Sequence, residues 1–372
     1  MPPYTGDYIE HIEPGKNSLK FYSFTPRPLM RGHMYQMDDE LAALLIDAHR
    51  NIGFLEGLIK YAPNKEAFAE LMLLKECTYS RMIDYDNPDF KEVLTSRGTG
   101  KGNISPIIDL EAAYRAALNM EICAPDLSRI CGIALYRESE DNPMSVRDHQ
   151  TFWLGAKTNL KGYNPTAPDA VLPALADISA YLYNDQNTDP LIKAALVHYQ
   201  FEMIHPFERY NGIVGRIIVP MMLSDIAREA KLLICLSEYL YHNKNEYFDL
   251  LRSTQYSGGY IRWIKFFVNA VGEVAKKSAK LMTQYERIIA LDEHRLTEIG
   301  KFTKSIFEIY NYLKDTPITT ITVAERNLGF SFNTVSKLFH SLQGYGIVEC
   351  HLPSYRNRVF RYSELENLIC AD

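Results

Sequence analysis

The stretch from Ile204 to Arg216 gathers the residue types that can do chemistry: Ile204-His205-Pro206-Phe207-Glu208-Arg209-Tyr210-Asn211-Gly212-Ile213-Val214-Gly215-Arg216. Pro206 disfavours α geometry at His205, so an incoming helix ends there. Asn211 and Gly212 open a second helix, which Ile213 to Met222 continue. A helix that starts after a Gly-containing turn presents unpaired N–H groups and a positive dipole end. One ionisable imidazole therefore lies beside an anion-sized backbone nest. That layout suits chemistry on a phosphate, with His205 as the base. The plain alternative is a helix–turn–helix corner around a buried His.

The elements that must position this stretch can be read on both sides of it. Residues 1–37, with Pro2, Pro3, Pro14, Pro26 and Pro28, read as an extended arm lying on the body. From Asp38 the apolar positions Leu41, Leu44, Leu45, Ala48, Ile52 and Leu55 recur at helical spacing. Pro63-Asn64 breaks that helix, and a second runs from about Lys65 to Asp84, ending before Asn87-Pro88. Residues 88–105, with Gly98, Gly100 and Gly102, read as a flexible loop. The run Arg97 to Gly102 lacks Walker spacing and a preceding apolar strand, so it is no phosphate loop. A helix from Ile107 to Met120 and a polar segment with Pro125 and Pro143 follow. Arg147 to Gly155 alternates and ends on Gly, which suggests a short strand in an exposed hairpin. Val171 to Leu182 is helical, and Asp189-Pro190 starts the helix that reaches His205. His198, Glu202 and His205 do not match the His-Glu-x-x-His zinc signature, so no metal is read here and His198 is a packing histidine. Trp263, Phe266, Phe267 and Val268 form a further apolar stripe, and a long helix runs from about Val271 to Leu291.

Residues 302–372 change character. Three helical patterns (Phe302–Leu313, Thr322–Leu328, Asn333–Gln343) precede two strands, 348–352 and 358–362, which reads as a winged helix-turn-helix. Candidate DNA contacts are Ser331, Asn333, Thr334, Ser336 and Lys337 on the third helix and Arg356 and Arg358 on the wing. Acidic and basic residues nearly balance there, so contact with DNA and contact with protein both stay open. A unit with its own core is expected to be removable without unfolding the rest.

The 372 residues allow two or three domains, and an apolar share of 47% supplies ample core. A net charge of −6 gives no global field toward nucleic acid or membrane. The cysteines Cys77, Cys123, Cys131, Cys235, Cys350 and Cys370 are scattered, with no CxxC pair. With no signal peptide and no long apolar span, the expectation is a cytoplasmic protein with reduced thiols and no membrane partner.

The central stretch resembles the Fic family signature: His-Pro-Phe, any residue, an acid, Gly-Asn-Gly-Arg, two residues, Arg. His205, Pro206, Phe207, Asn211, Gly212 and Arg216 match it. Arg209 stands in place of the acid, Tyr210 in place of the first Gly, and Ile213 in place of the first Arg. Upstream, Lys75-Glu76, Ser80 and Asp84 resemble the family's inhibitory helix, with Asp84 for Glu and Tyr85 for Gly. Arg147 to Gly155 is similar to the segment leading into the family's hairpin flap. Leu236-Ser237-Glu238-Tyr239, Glu246 to Leu251 and Trp263 to Phe267 resemble its continuation. The likeness covers roughly residues 25–290.

The resemblance implies a mainly α fold: a Fic-type helical bundle with a small β-hairpin flap, plus the C-terminal winged helix-turn-helix domain. The expected division is an arm and inhibitory-helix region at 1–105, the Fic core at 106–295 and the winged helix at 296–372. It implies transfer of AMP from ATP to a Ser, Thr or Tyr hydroxyl of a protein, with His205 as base and Asn211 supporting the developing charge. Phe207, Gly212, Gly215, Arg216 and Arg209 are the implied nucleotide-binding residues, and Ser80 and Asp84 the inhibitory ones, with Asp84 reaching Arg216. Arg209 cannot hold the Mg²⁺ that the acid would bind, Tyr210 crowds the loop, and Ile213 removes a phosphate-binding cation. Activity is therefore expected to be weak, altered or lost. Restoring all three residues would be the way to raise it. The alternative is an inactive Fic-fold regulator that binds DNA through its winged helix. A homodimer is the family expectation.

Overall fold

Helices carry the chain, as apolar spacing of three and four requires. The computed structural model describes residues 4–13, 19–30, 34–85, 88–135, 143–152, 164–298, 303–351 and 358–371. Helix α1 (Asp39–Tyr61) is capped by Asp38, whose carboxylate accepts from the Leu41 N–H at 2.8 Å. Its face Leu41, Leu45, Ala48, Ile52, Leu55 and Ile59 is buried. That face packs along α11 (Tyr260–Glu298), where Ala48 sits against Gly272.

Helix α2 (Lys65–Asp84) is central: every residue from Leu71 to Ser80 is buried. A helix buried all round must satisfy its polar side chains internally. Glu76 accepts from Tyr114 Oη at 2.7 Å, the Ser237 N–H at 2.9 Å and Ser237 Oγ at 2.5 Å. Lys75 pairs with Glu238 at 2.7 Å. These bonds tie α2 to α4 (Ser105–Ala117) and α9 (Leu236–His242). Helices α6 (Pro168–Asn184), α7 (Pro190–Ile204), α8 (Asn211–Met222) and α10 (Lys244–Ser257) complete the bundle.

Several expectations need correction. The N-terminal arm is an antiparallel hairpin, β1 (Gly6–Glu13) with β2 (Leu19–Pro26), in register Gly6 to Pro26. The β-favouring residues Tyr8, Ile9, Phe21, Tyr22 and Phe24 outweigh the prolines; of the described prolines here, Pro26 lies at the end of a strand. Asn164 Nδ2 donates to the Tyr22 carbonyl at 2.7 Å and Thr166 Oγ1 to that of Phe24 at 3.1 Å, which fixes the hairpin to the bundle. The loop at 88–105 contains helix α3 (Phe90–Thr99), started by an Asp89–Glu92 capping box and stopped by Gly100 at φ 66°. The polar segment after residue 120 contains α5 (Ala124–Leu135). No strand forms over 147–152, and the rest of the expected flap lies outside the described residues.

The C-terminal part comprises α12 (Lys304–Asp315), β3 (Ile318–Thr320), α13 (Ile321–Leu328), α14 (Phe332–Gly344), β4 (Glu349–His351), β5 (Val359–Arg361) and an unforeseen α15 (Ser363–Cys370). Its antiparallel sheet has the order β3-β5-β4. Ser331, Asn333 and Lys337 are exposed at the start of α14 and Thr334 is half-buried. Arg358 Nη1 lies 3.1 Å from His340 Nε2, and Arg356 is outside the described residues.

This part is closely joined to the bundle. The Ile318 carbonyl lies where a Cβ on Gly98 would sit, so α3 and β3 touch backbone to backbone. Lys314 donates to Asn64 Oδ1 at 2.8 Å and Glu293 Oε1 at 2.7 Å. Tyr362 Oη donates to Asp292, both buried. The buried apolar residues form one continuous cluster from Phe24 to Ile369. That packing opposes the expected free removal of residues 302–372. Ending the chain at residue 298 would expose Tyr285 and Ile289, at about 1.5–3 kcal/mol for each large side chain. The expected result in denaturant titration is a clearly lower unfolding midpoint. An unchanged midpoint would establish that the C-terminal part is independent.

Candidate active site

The site starts where α7 ends. His205 has φ 50° and ψ 63°, the left-handed region, and its N–H donates to the Phe201 carbonyl at 3.0 Å. For an L residue that conformation costs about 1–2 kcal/mol and persists only if held. Arg147 holds it. Its Nε donates to the His205 carbonyl at 2.7 Å. Its Nη2 donates to Ile204 O at 3.1 Å and to Thr166 O, its Nη1 to His149 O at 3.1 Å. Its own N–H reaches Pro206 O at 2.9 Å. A cation thus satisfies the orphan carbonyls at a helix C-terminus. Burial lowers the Arg147 pKa to about 10, which leaves it charged at neutral pH.

The His205 ring lies with Nδ1 2.9 Å from the Glu202 carbonyl. A carbonyl only accepts, so Nδ1 carries the proton and Nε2 is the acceptor nitrogen. Burial pulls the His205 pKa down to about 4, so the imidazole is neutral at pH 7. Burial also raises the Glu202 carboxyl to about 8, with Arg216 opposing and Asp84 assisting. Glu202 is therefore a neutral acid beside the His205 imidazole at pH 7. His198 behaves as a packing histidine: buried, Nδ1 2.9 Å from Gly215 O, Nε2 3.0 Å from Tyr247 Oη, and stacked on Trp263.

Opposite lies the start of α8. Arg216 is buried, and its Nε donates to Ser80 Oγ at 2.8 Å. Its Nη2 donates to the Ser80 carbonyl at 2.8 Å and to Asp84 Oδ2 at 2.5 Å. Burial opposes this charge, yet Asp84, Tyr247 and Glu202 hold the Arg216 pKa above its ordinary value. A Cβ on Gly212 would come within 2.9 Å of Asp84 Oδ2, so the carboxylate rests directly on the first turn of α8. Asp84 thereby sits at the positive helix end where a ligand anion would go. The expected reach from Asp84 to Arg216 is present.

Other candidates are placed differently from expectation. Asn211 spends its amide on the loop, donating to Phe207 O and accepting from Phe207 N, both at 2.8 Å, so it shapes the loop and does not aim at a phosphate. Phe207 is fully buried as the loop's anchor, away from the cleft wall. Gly215 is a packing glycine: a Cβ there would collide with Glu202 Oε1. Ile213 is fully buried, so an Arg at this position would have to enter the core. Arg209 is exposed and lines the cleft. Tyr210 adopts φ 68°, the left-handed conformation a Gly takes without strain. The cleft holds about 250 Å³, and His205, Arg209, Gly212, Arg216 and Asp84 are among its walls. Arg147 is a site residue with no local signal in the sequence: its side-chain targets lie up to 58 residues away.

The family model described as Fic/DOC family matches residues 123–223. Residues 123–223 are a Fic/DOC family domain. A crystal structure of a Fic family protein from Desulfovibrio desulfuricans G20 shares the fold, with TM-score 0.55, 15% identity, and 89% of this chain and 98% of that one covered. Protein adenylyltransferase fic-1 of Caenorhabditis briggsae is 38% identical over 64 residues, 16% of this chain and 12% of that protein. A probable protein adenylyltransferase of Aquifex aeolicus is 28% identical over 113 residues, 30% of this chain and 31% of that protein. The chain thus matches well under two thirds of the length of these curated relatives.

In this Fic domain the loop carboxylate that lines the cleft is Glu208, and Mg²⁺ prefers carboxylate oxygen. Arg209 occupies the acid's place, the exposed Glu208 is one residue away, and Asp84 is engaged by Arg216. Among the described residues no group of three or more His, Cys, Asp or Glu could hold a metal. No helix among them is long and apolar enough to cross a membrane.

The titrations fix a pH dependence. His198 and His205 titrate near 4 when folded against an ordinary value of 6.5, so stability falls as pH drops through that window. Glu202 titrates near 8 against 4.5, so its contribution falls as pH rises through its window. Taken alone, these three contributions peak near pH 6.5 and fall by about 1.4 kcal/mol per pH unit at most on the alkaline side; burial also raises the Glu76 and Glu111 carboxyls, which adds to the fall on that side. Glu202→Gln should flatten the limb between pH 6.5 and 8 in urea titrations. A slope identical to wild type would mean Glu202 is ionised in the folded protein. Arg147→Lys, which keeps the charge but not the fork, should cost about 1–3 kcal/mol through unsatisfied carbonyls. Full stability in that variant would remove Arg147 from its clamping role.

Proposed function

We propose that the cleft transfers AMP from ATP to a hydroxyl side chain of a protein, and that Asp84 holds it closed. The observation that carries this reading is the neutral His205, with Nδ1 bonded to a carbonyl, facing an α8 start whose anion place holds a carboxylate. The names of the adenylyltransferase relatives support it. When Asp84 withdraws, the N–H groups at Gly212 and the Arg216 guanidinium become available to nucleotide phosphates. The substrate hydroxyl gives its proton to His205 Nε2. Its oxygen bonds to the α-phosphorus, the bond to the bridging oxygen breaks, and pyrophosphate leaves. No step is routed through a metal, because Arg209 stands where the acid would be; its exposed guanidinium can meet phosphate oxygen directly.

Labelled ATP offered to the full chain with protein acceptors tests the proposal. Wild type is expected to label slowly, and Asp84→Ala at least about tenfold faster, in the range of a single coupling of sites. His205→Ala should abolish label in both backgrounds. An Asp84→Ala protein that binds ATP and transfers nothing would end the enzyme reading. A regulator that binds DNA through α14 is the second proposal, motivated by exposed Asn333 and Lys337 in its first turns. Anisotropy with duplex DNA, unaffected by Lys337→Ala, would dismiss it.

A further inference from the structure

We propose that Arg81, Tyr85 and Tyr210 form a second catch on the end of α2, separate from the Asp84–Arg216 pair, which still restrains nucleotide entry once that pair is released. The inference rests on the reading of the cleft as a nucleotide site. Arg81 lies in the last turn of α2, and Tyr85 is its C-cap residue. Tyr210 is the N-cap residue of α8. Arg81 Nη1 donates to Tyr210 Oη at 2.6 Å. The same guanidinium stands 4.9 Å from the Tyr85 ring centre and 5.7 Å from that of Tyr210. The two rings are 5.6 Å apart at 45°. One cation is thus shared by two aromatic faces, one from each side of the cleft.

Geometry and strain point the same way. A bulky residue at φ 68° persists only where its surroundings hold it. The Arg81 bond and the Tyr85 ring supply that hold, and the strained backbone aims the Tyr210 ring at α2. Tyr85 and Tyr210 are also two positions at which this sequence departs from the Gly of the pattern it resembles, and both are used in one contact. The catch is distinct from the Asp84 pair because it uses different atoms on both sides: Arg81 and Tyr85 with Tyr210, against Asp84 with Arg216. Releasing Asp84 alone therefore leaves the turn from Arg81 to Tyr85 fastened to the α8 loop. Lys244 Nζ, which donates to the Ile83 carbonyl at 2.5 Å, holds the same turn from α10 and is left intact by the variants below.

Hydrogen exchange and ATP titration on the full chain test this. The Tyr85 amide, bonded to Arg81 O at 2.8 Å, reports the turn. Arg81→Met keeps the side-chain stem and removes the cation, and should speed exchange at 83–85 by about tenfold. Tyr210→Phe keeps the ring, removes one bond, and should give a smaller rise. For ATP, Asp84→Ala should bind weakly and Asp84→Ala with Arg81→Met about tenfold more tightly. Faster exchange at 83–85 supports the catch even if no variant binds ATP, in which case the nucleotide reading alone fails. Unchanged exchange in both Arg81→Met and Tyr210→Phe overturns the catch. So does an Asp84→Ala protein that already binds as tightly as the double variant.

Discussion

A guanidinium removed from water needs strong acceptors where it stands, and Arg216 is such a group. Ser80 gives it a hydroxyl and a carbonyl, and Asp84 gives it a carboxylate. All three acceptors come from one turn of α2, so α2 must cross the start of α8 at close range. That crossing buries α2 on every side and obliges Lys75 and Glu76 to find partners within the bundle. They find them on α4 and α9. The position of the candidate site, the burial of α2 and the polar bonds that fasten it are therefore one constraint seen at three places.

The other end of α2 extends the same constraint. Asn64 is its N-cap residue by position, yet its side chain makes no cap bond. The amide is occupied instead: Nδ2 donates to Glu286 Oε2 at 2.8 Å, and Oδ1 accepts from Lys314 at 2.8 Å. The helix start is thus fastened to α11 and α12, while its end lies over the cleft. A buried helix fixed at both ends moves as a unit or frays at its last turn. Fraying is the cheaper change, because most residues after Ser80 leave the core: Arg81 and Met82 are half-buried, Asp84 and Tyr85 are exposed, and Ile83 alone in this turn stays buried. Any opening of the cleft would then fall to the turn from Arg81 to Tyr85 and not to the helix as a whole.

What can be read from the sequence follows from local rules. Pro206 stops a helix, Asn211-Gly212 starts one, and the Ser80 to Asp84 spacing puts both on one helix face, four residues apart. Each of these needs only a neighbouring residue to be interpretable. The hairpin at β1 and β2 is masked by its flanking prolines, which hide the aromatic and β-branched residues between them. Helix α3 is masked because Gly98 and Gly100 look like a mobile run, although the first is a site of backbone contact with β3 and the second a helix stop. Arg147, the meeting of Tyr85 with Tyr210 and the burial of Ile213 are facts of tertiary distance. No spacing in the chain encodes them, so only the folded structure brings them into view.

The active-site loop separates shape from charge. Its shape is held by groups that bond backbone: Arg147 to the carbonyls around His205, and Asn211 to both polar atoms of the Phe207 main chain. Phe207 anchors the same segment in the core. None of these bonds involves the side chains of Arg209, Tyr210 or Ile213. The loop can therefore keep its course while those three side chains change its electrostatics and its contacts with α2. Arg209 adds a cation at the rim where an acid would sit, Tyr210 trades backbone ease for a contact with Arg81, and Ile213 joins the core. A frame that tolerates such changes without being reshaped explains how a chain can keep the His205 imidazole, the first turn of α8 and the Asp84 carboxylate in register while the charge around them differs.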